Sequence, residues 1–278
     1  MKPYRSTLAF AVLAGCASTA DELADARPHR TFEFTYHAAV AEVPEGARSV
    51  RLWIPIPEST PDQKIEELEI EASHGYVVNE IQNGEGRSLC VTAPAEPVDV
   101  TVRFVATRYE TTGGGQASQG ELSANLAPNK MIPLDGKVAS IAASMPIDGD
   151  TRSVSRALYE HTLERMKYDK PTGGGWGRGD SEWACDAGYG NCTDFHSYFI
   201  GLARAKRIPA RFEMGFSIPD GSEEVAAIGG YHCWAYFWEK EYGWVPVDIS
   251  EADKDSTKSE YFFGTLDQNR VTMTGGRP

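Results

Sequence analysis

From residue 30 onward the chain alternates. Phe32, Phe34 and Tyr36 stand between polar neighbours, and Val50, Leu52 and Ile54 keep the same period. Val98, Val100, Val102 and Phe104 are interleaved with Asp99, Thr101 and Arg103. A period of two marks strands with one buried face. Shorter strand patterns lie at 68–70, 76–81 and 89–92, with Gly and Pro in the gaps. Such short, turn-punctuated strands predict a small β-sandwich over residues 30–110. The stretch TTGGGQASQGE then breaks every period, and residues 111–130 read as a linker. There is no internal repeat.

Beyond residue 130 the period changes. Val154, Leu158 and Leu163 share one side of a helix predicted over 151–167. PTGGGWGRGDSEW follows, a glycine-rich loop that lacks the Lys-Ser/Thr pair and the feeding strand of a phosphate loop. Its Arg178-Gly179-Asp180 tripeptide matches an integrin-binding sequence, but matches of that length are common by chance. Phe195, Tyr198, Phe199 and Leu202 then recur at helical spacing, and Pro209 limits that helix downstream. Aromatic-rich strands are expected over 211–216 and from Tyr231 onward. The pattern predicts an α+β protein, with a mixed core over 131–278 behind the sandwich.

The N-terminus is of another kind. MKPYRSTLAFAVLAGC has basic residues at Lys2 and Arg5, a short apolar segment at 8–14, and then small residues. That order predicts a secretory signal. Leu13-Ala14-Gly15-Cys16 is similar to a bacterial lipobox, so Cys16 is the candidate lipidation site, with 1–15 as signal and 16–29 as tether. An ordinary signal peptide with an incidental cysteine is the alternative. Removing Lys2 and Arg5 from 27 basic residues against 40 acidic ones takes the net charge from −13 to −15. That surface argues against nucleic acid and against electrostatic docking to anionic lipid, so a lipid at Cys16 is the expected membrane link. Export permits disulfides, and Cys90, Cys185, Cys192 and Cys233 remain for them. One catalytic thiol would leave three, enough for one bridge.

The chemistry starts at GYGNCTDFHSYFIGLARAKRIPARF, residues 188–212. Asn191, or Thr193 just after it, can cap the helix, which places Cys192 at or beside a helix N-terminus. Unpaired N–H groups and the macrodipole favour a thiolate there. In GYHCWAYFWEKEYGWVPVDIS two apolar runs flank EKEYG, the pattern of a hairpin. With the turn centred on Lys240, Tyr236 opposes Trp244, Trp234 opposes Pro246 and His232 opposes Asp248. Pro246 has no N–H, so its pair is a non-hydrogen-bonded one, and His232–Asp248 is then another. An acid would so hold one imidazole nitrogen while the other faces a thiol. Cys192 as nucleophile, His232 as base and Asp248 as orienting acid meet the needs of acyl transfer. The N–H of Cys192 could supply half an oxyanion hole. Trp176 is the candidate for the other half, with Trp183, a glycine amide or a helix residue as alternatives.

Three blocks, GNCTDFHSYFIGLARAKRIPARF, GYHCWAYFWEKEYGWVPVDIS and EYFFGTLDQNRV, resemble in their order the core of bacterial transglutaminase-like proteins. The resemblance runs over about 151–270. It implies a papain-like core, in which a helix bearing Cys192 packs on an antiparallel sheet bearing His232 and Asp248. It also implies a protein or peptide substrate and no cofactor. The chain is shorter than animal transglutaminases and lacks an evident calcium site and C-terminal β-barrels. Those departures leave amide or peptide hydrolysis open beside acyl transfer to an amine.

Plainer readings stand beside these. His196 lies one turn beyond Cys192 and reads as a satisfied packing histidine. Cys233 points away from His232 by alternation and reads as core. Asp194 serves the helix dipole or a local cap. A zinc site could be drawn from Cys185, Cys192, His196, His232 and Cys233, but the spacings match no recurrent ligand pair, so no metal is expected. Two function classes remain: an exported cysteine enzyme, or a silent envelope scaffold built on the same core.

Overall fold

The structure is a computed structural model, and it describes residues 26–81, 86–221 and 225–276. The leader and Cys16 lie outside the described residues. Six strands come first: β1 (His29–Val40), β2 (Ser49–Ile56), β3 (Gln63–Ala72), β4 (Tyr76–Glu80), β5 (Arg87–Pro94) and β6 (Val98–Tyr109). They form two antiparallel three-stranded sheets, in the orders β1-β6-β3 and β2-β5-β4. Alternation supplies the facing surfaces. Phe34, Val100, Val102 and Phe104 from one sheet meet Ile54, Leu89 and Val91 from the other in one apolar core. Val271 and Met273, from the far end of the chain, complete it.

The second half packs helices against a four-stranded antiparallel sheet, most of them on one face and the short 119–124 helix on the other, where Leu122 meets Trp234, Tyr236 and Trp244. Its helices are α1 (Gln119–Ala124), α2 (Lys137–Ser144), α3 (Thr151–Arg165), α4 (Ser181–Ala187), α5 (Cys192–Ala205) and α6 (Ile249–Lys254). The sheet has the order β10-β7-β8-β9, with β7 (Ala210–Ser217), β8 (His232–Glu239), β9 (Gly243–Val247) and β10 (Arg270–Gly275). The fold is α+β. Helix α5 is its centre, buried on every side from Cys192 to Arg204 by α2, α3, α4, α6 and the sheet. Phe195, Tyr198, Phe199 and Leu202 are fully buried, and each large apolar side chain so placed contributes roughly 1.5–3 kcal/mol. Arg207, with φ at 65°, turns the chain out of the helix ahead of Pro209.

The glycine-rich 111–130 stretch is more ordered than a linker. Thr111 bridges Leu266, Gly114 bridges Trp244, and Ser118 caps α1. Gly113, at φ 87°, lies so close to β9 that a Cβ there would meet the carbonyl oxygen of Trp244. The stretch has no period because it is docked backbone against backbone. The Arg178-Gly179-Asp180 tripeptide likewise has a local role, since Asp180 caps α4 by accepting from the N–H groups of Glu182 and Trp183.

The hairpin arithmetic needs correcting. Tyr236 opposes Pro246, Phe237 opposes Val245, Trp238 opposes Trp244 and Glu239 opposes Gly243. The turn therefore centres on Glu241 instead of Lys240. Tyr242 donates its N–H to the Glu239 carbonyl at 3.1 Å, and Gly243 takes φ 112°, a conformation that side-chain-bearing residues rarely adopt. The positive-φ glycine fixes the loop length and shifts the register by two. Parity survives, but His232 does not stand opposite Asp248. Nor is Asp248 on the sheet: it follows the end of β9 and is the N-cap of α6.

Candidate active site

Cys192 is the first residue of α5, preceded by a complete capping box. Asn191 Oδ1 accepts from the N–H groups of Thr193 and Asp194, and Asp194 Oδ2 accepts from that of Asn191. The N–H of Cys192 is not claimed by the cap. Asp194 does further work, because its Oδ1 accepts from the N–H of Gly179 at 2.9 Å and ties the glycine-rich loop to the helix start. Burial raises the Asp194 pKa against these hydrogen bonds. The loop fits closely: a Cβ on Gly177 or on Gly190 would overlap the Asp194 side chain.

His232 is the first residue of β8, and its Nε2 lies 2.7 Å from Asp248 Oδ2. Both side chains are buried, His232 at 5% exposure and Asp248 at 0%. Because Nε2 is engaged by the acid, Nδ1 is the nitrogen left for the neighbouring Cys192 thiol. The three residues named from the sequence thus meet, by a diagonal approach across the end of the sheet.

Asp248 is saturated with donors. Its Oδ2 also accepts from Arg270 Nη1 at 3.1 Å, and its Oδ1 from Ser250 Oγ at 3.0 Å and the N–H of Glu251 at 3.2 Å. Burial would raise this carboxyl; the charges of His232 and Arg270 hold it well below the usual carboxylate range. Burial would likewise lower His232, but the Asp248 charge and hydrogen bond, with Cys192, push it up to about 10. The Cys192 thiol is held well below its ordinary value by a hydrogen bond from Cys233, against burial, and then by the hydrogen bond and charge of His232. Both shifts favour the ion pair of a Cys192 thiolate with a His232 imidazolium.

His196 is a packing histidine with a defined tautomer. The N–H of Ile249 donates to its Nε2 at 3.1 Å, so Nδ1 carries the proton and donates to the Cys192 carbonyl at 2.7 Å. Fully buried and with its pKa lowered chiefly by burial, it joins the start of α5 to the start of α6. Cys233 is buried in the core, where its Sγ donates to Thr193 Oγ1 at 3.6 Å and lies near the thiol of Cys192. Alternation puts Cys233 on the α5 side and His232 on the other; both reach Cys192 where β8 begins. Cys90, Cys185, Cys192 and Cys233 are all free thiols.

Trp176 is 42% exposed, its ring 5.6 Å from that of Tyr168, and among the described residues its indole N–H has no acceptor. Trp183, an alternative donor, packs edge-on against Tyr189. Tyr168 and Tyr231 stand near the thiol, and Tyr231 exchanges a hydrogen bond with Thr193 at 2.9 Å. Glu251 reaches to 3.8 Å from His232 Nε2, with Lys254 paired to it. A cavity of about 370 Å³ lies elsewhere, lined by Asp62, Arg108, Tyr236 and Trp244 on the sheet face away from α5. Arg270, Ser250 and the thiol contact of Cys233 were not read from the sequence. A buried arginine looks like a surface one in a linear chain, and alternation spoke against Cys233.

Residues 140–249 match the model of the Transglutaminase-like superfamily, so the chain carries a transglutaminase-like core. An uncharacterized protein of Haemophilus influenzae is 27% identical, over 98% of this chain and 88% of its own length. A solved structure from Cytophaga hutchinsonii, provisionally named a cysteine protease, superposes with a TM-score of 0.63 at 14% identity, over 89% of this chain and 83% of that one. That likeness is one of fold. The periplasmic domain of TgpA from Pseudomonas aeruginosa gives a TM-score of 0.41 at 15% identity, over 87% of this chain and 96% of that one.

Proposed function

We propose that this chain is an exported cysteine enzyme that attacks amide carbonyls of proteins or peptides through a thioester. The observation that carries the reading is the 2.7 Å contact of His232 Nε2 with Asp248, on an imidazole whose other nitrogen meets a thiol at a helix start. In this reading the Cys192 thiolate adds to the carbonyl carbon. The developing oxyanion is met by the N–H of Cys192 and a second donor, for which Trp176 remains the candidate once its loop closes over substrate. His232 gives its Nδ1 proton to the leaving amine as the C–N bond breaks, which leaves a thioester. Water or an amine then surrenders a proton to His232, attacks the thioester and releases the thiolate. Asp248 keeps Nε2 engaged throughout and stabilises the imidazolium.

The leader supports placement in a bacterial cell envelope, with a lipid on Cys16 as the anchor. Among the described residues no helix is long and apolar enough to cross a membrane. The test is a peptide-amide library assayed for ammonia release, peptide-bond cleavage and incorporation of a labelled primary amine, with mass spectrometry for a thioester on Cys192. Turnover that survives in Cys192→Ala would overturn the reading. Absence of any acyl-enzyme across the library would favour a silent scaffold.

A further inference from the structure

The catalytic reading leaves one buried nucleophile unused. Cys233 is fully buried against the first turn of α5, where its thiol neighbours that of Cys192. Its Sγ also lies 3.6 Å from Thr193 Oγ1 and 3.8 Å from His196 Nδ1. His196 Nδ1 carries its own proton, so it cannot accept one from Cys233, whose S–H donates to Thr193 Oγ1. Two neighbouring thiols, one of them favoured as thiolate by an adjacent imidazole, form the pair from which a disulfide is made.

We propose that Cys192 and Cys233 form a reversible disulfide, in which Cys233 resolves the sulfenic acid left when a hydroperoxide oxidises Cys192. The inference rests on the reading of Cys192 as a reactive thiolate and on nothing about its substrate. In the first step the thiolate attacks the peroxide, the O–O bond breaks, and Cys192 becomes a sulfenic acid. The leaving alkoxide or hydroxide takes the His232 proton. In the second, the Cys233 sulfur attacks the sulfenic sulfur, an S–S bond forms, and the hydroxyl leaves as water with the Cys233 proton. The peroxide supplies the oxidising equivalents, and the two sulfurs lose the electrons. The product blocks the nucleophile yet spares it the irreversible sulfinic and sulfonic stages.

The experiment has two stages on the full reduced chain at low concentration. Iodoacetamide first tests Cys192 itself, which should be labelled ahead of Cys90, Cys185 and Cys233. Hydrogen peroxide is then titrated in, free thiols are blocked, and peptides are mapped without reductant. The expected product is a Cys192–Cys233 linked peptide, with dithiothreitol restoring alkylation of Cys192. In Cys233→Ser and Cys233→Ala the same peroxide should drive Cys192 to sulfinic acid, beyond rescue by dithiothreitol. If Cys192 labels first but wild-type protein accumulates sulfinic acid as fast as the variants, or links to Cys185 or Cys90, the disulfide proposal falls and the nucleophile reading stands. If Cys192 resists iodoacetamide, the nucleophile reading fails and takes the proposal with it. Should both variants fail to fold, the wild-type peptide map alone decides.

Discussion

Arg270 donates to Asp248 Oδ2 at 3.1 Å, the oxygen that also receives His232. Both side chains are buried, and the guanidinium lies over the Trp234 ring at 4.8 Å and pairs with Asp267. A buried carboxylate with four donors cannot be swapped for an amide at no cost, because the amide presents N–H groups to donors. Asp248→Asn is therefore expected to cost about 3–5 kcal/mol as well as activity. The His232 pKa should fall, since a neighbouring carboxylate favours imidazolium. Arg270→Met should move it the other way by removing a positive neighbour. NMR titration of His232 in protein alkylated at Cys192 reads both shifts; a common direction would refute the shared-oxygen account.

The ion pair sets two different pH profiles. Alkylation of Cys192 needs only thiolate, whereas turnover also needs the imidazolium to protonate a leaving amine. Both rates should fall together on the acid side, at the depressed Cys192 pKa. Above pH 10 turnover should fall as His232 loses its proton, while alkylation should not. Asp248, Cys192, His196 and Glu251 are the titratable groups that face this imidazole. The stability sign follows from the same shifts. His232, raised above its unfolded value of about 6.5, adds stability that is complete below that value and lost as pH rises through about 10. Asp248, depressed, adds stability that is present above about pH 4 and lost as pH falls. Iodoacetamide kinetics and thermal melts across pH check both.

His196 makes two separable bonds. In His196→Asn the amide N–H can replace Nδ1 toward the Cys192 carbonyl but leaves the N–H of Ile249 unmet. His196→Gln offers its oxygen to Ile249 and loses the Cys192 bond. Each is expected to cost about 1–3 kcal/mol for the stranded buried group. Only the Gln variant should also slow alkylation of Cys192, since only it frees the start of α5. Equal alkylation rates in the two variants would count against a positioning role.

Gly177 carries the loop that holds Trp176. A Cβ there would overlap Asp194 Oδ1 and the Trp183 ring. Gly177→Ala should lift the loop off Asp194, destabilise the protein by about 1–3 kcal/mol and raise KM or lower kcat. Hydrogen exchange at the Gly179 amide, which donates to Asp194, should speed up. Unaltered exchange there would show that the loop is not held by this contact.

Cys16 is expected to carry the membrane anchor. The mature protein should partition with detergent, and Cys16→Ser should release it or leave the leader uncleaved. A Cys16→Ser protein that still fractionates with membranes after leader removal would exclude the lipid as anchor.

Local pattern alone determined the elements that depend on near neighbours. Alternation at Phe32–Phe34–Tyr36 and Val98–Phe104 marked strands β1 and β6, and the spacing from Phe195 to Leu202 marked α5, because burial on one face imposes a period. The cap at Asn191 was legible for the same reason: its bonds reach no further than Asp194. Cys192, His232 and Asp248 could be picked out as residue types in order, and the structure brings them together. How they meet was decided elsewhere. One glycine, Gly243, can take φ 112° and moves the hairpin register by two, so the acid comes to the histidine diagonally from the cap of a helix. Arg270 reaches Asp248 from β10, and Cys233 reaches Cys192 from β8, across chain separations that carry no periodic signal. Burial of a charge is a property of everything packed around it, and only the folded chain puts those neighbours in place.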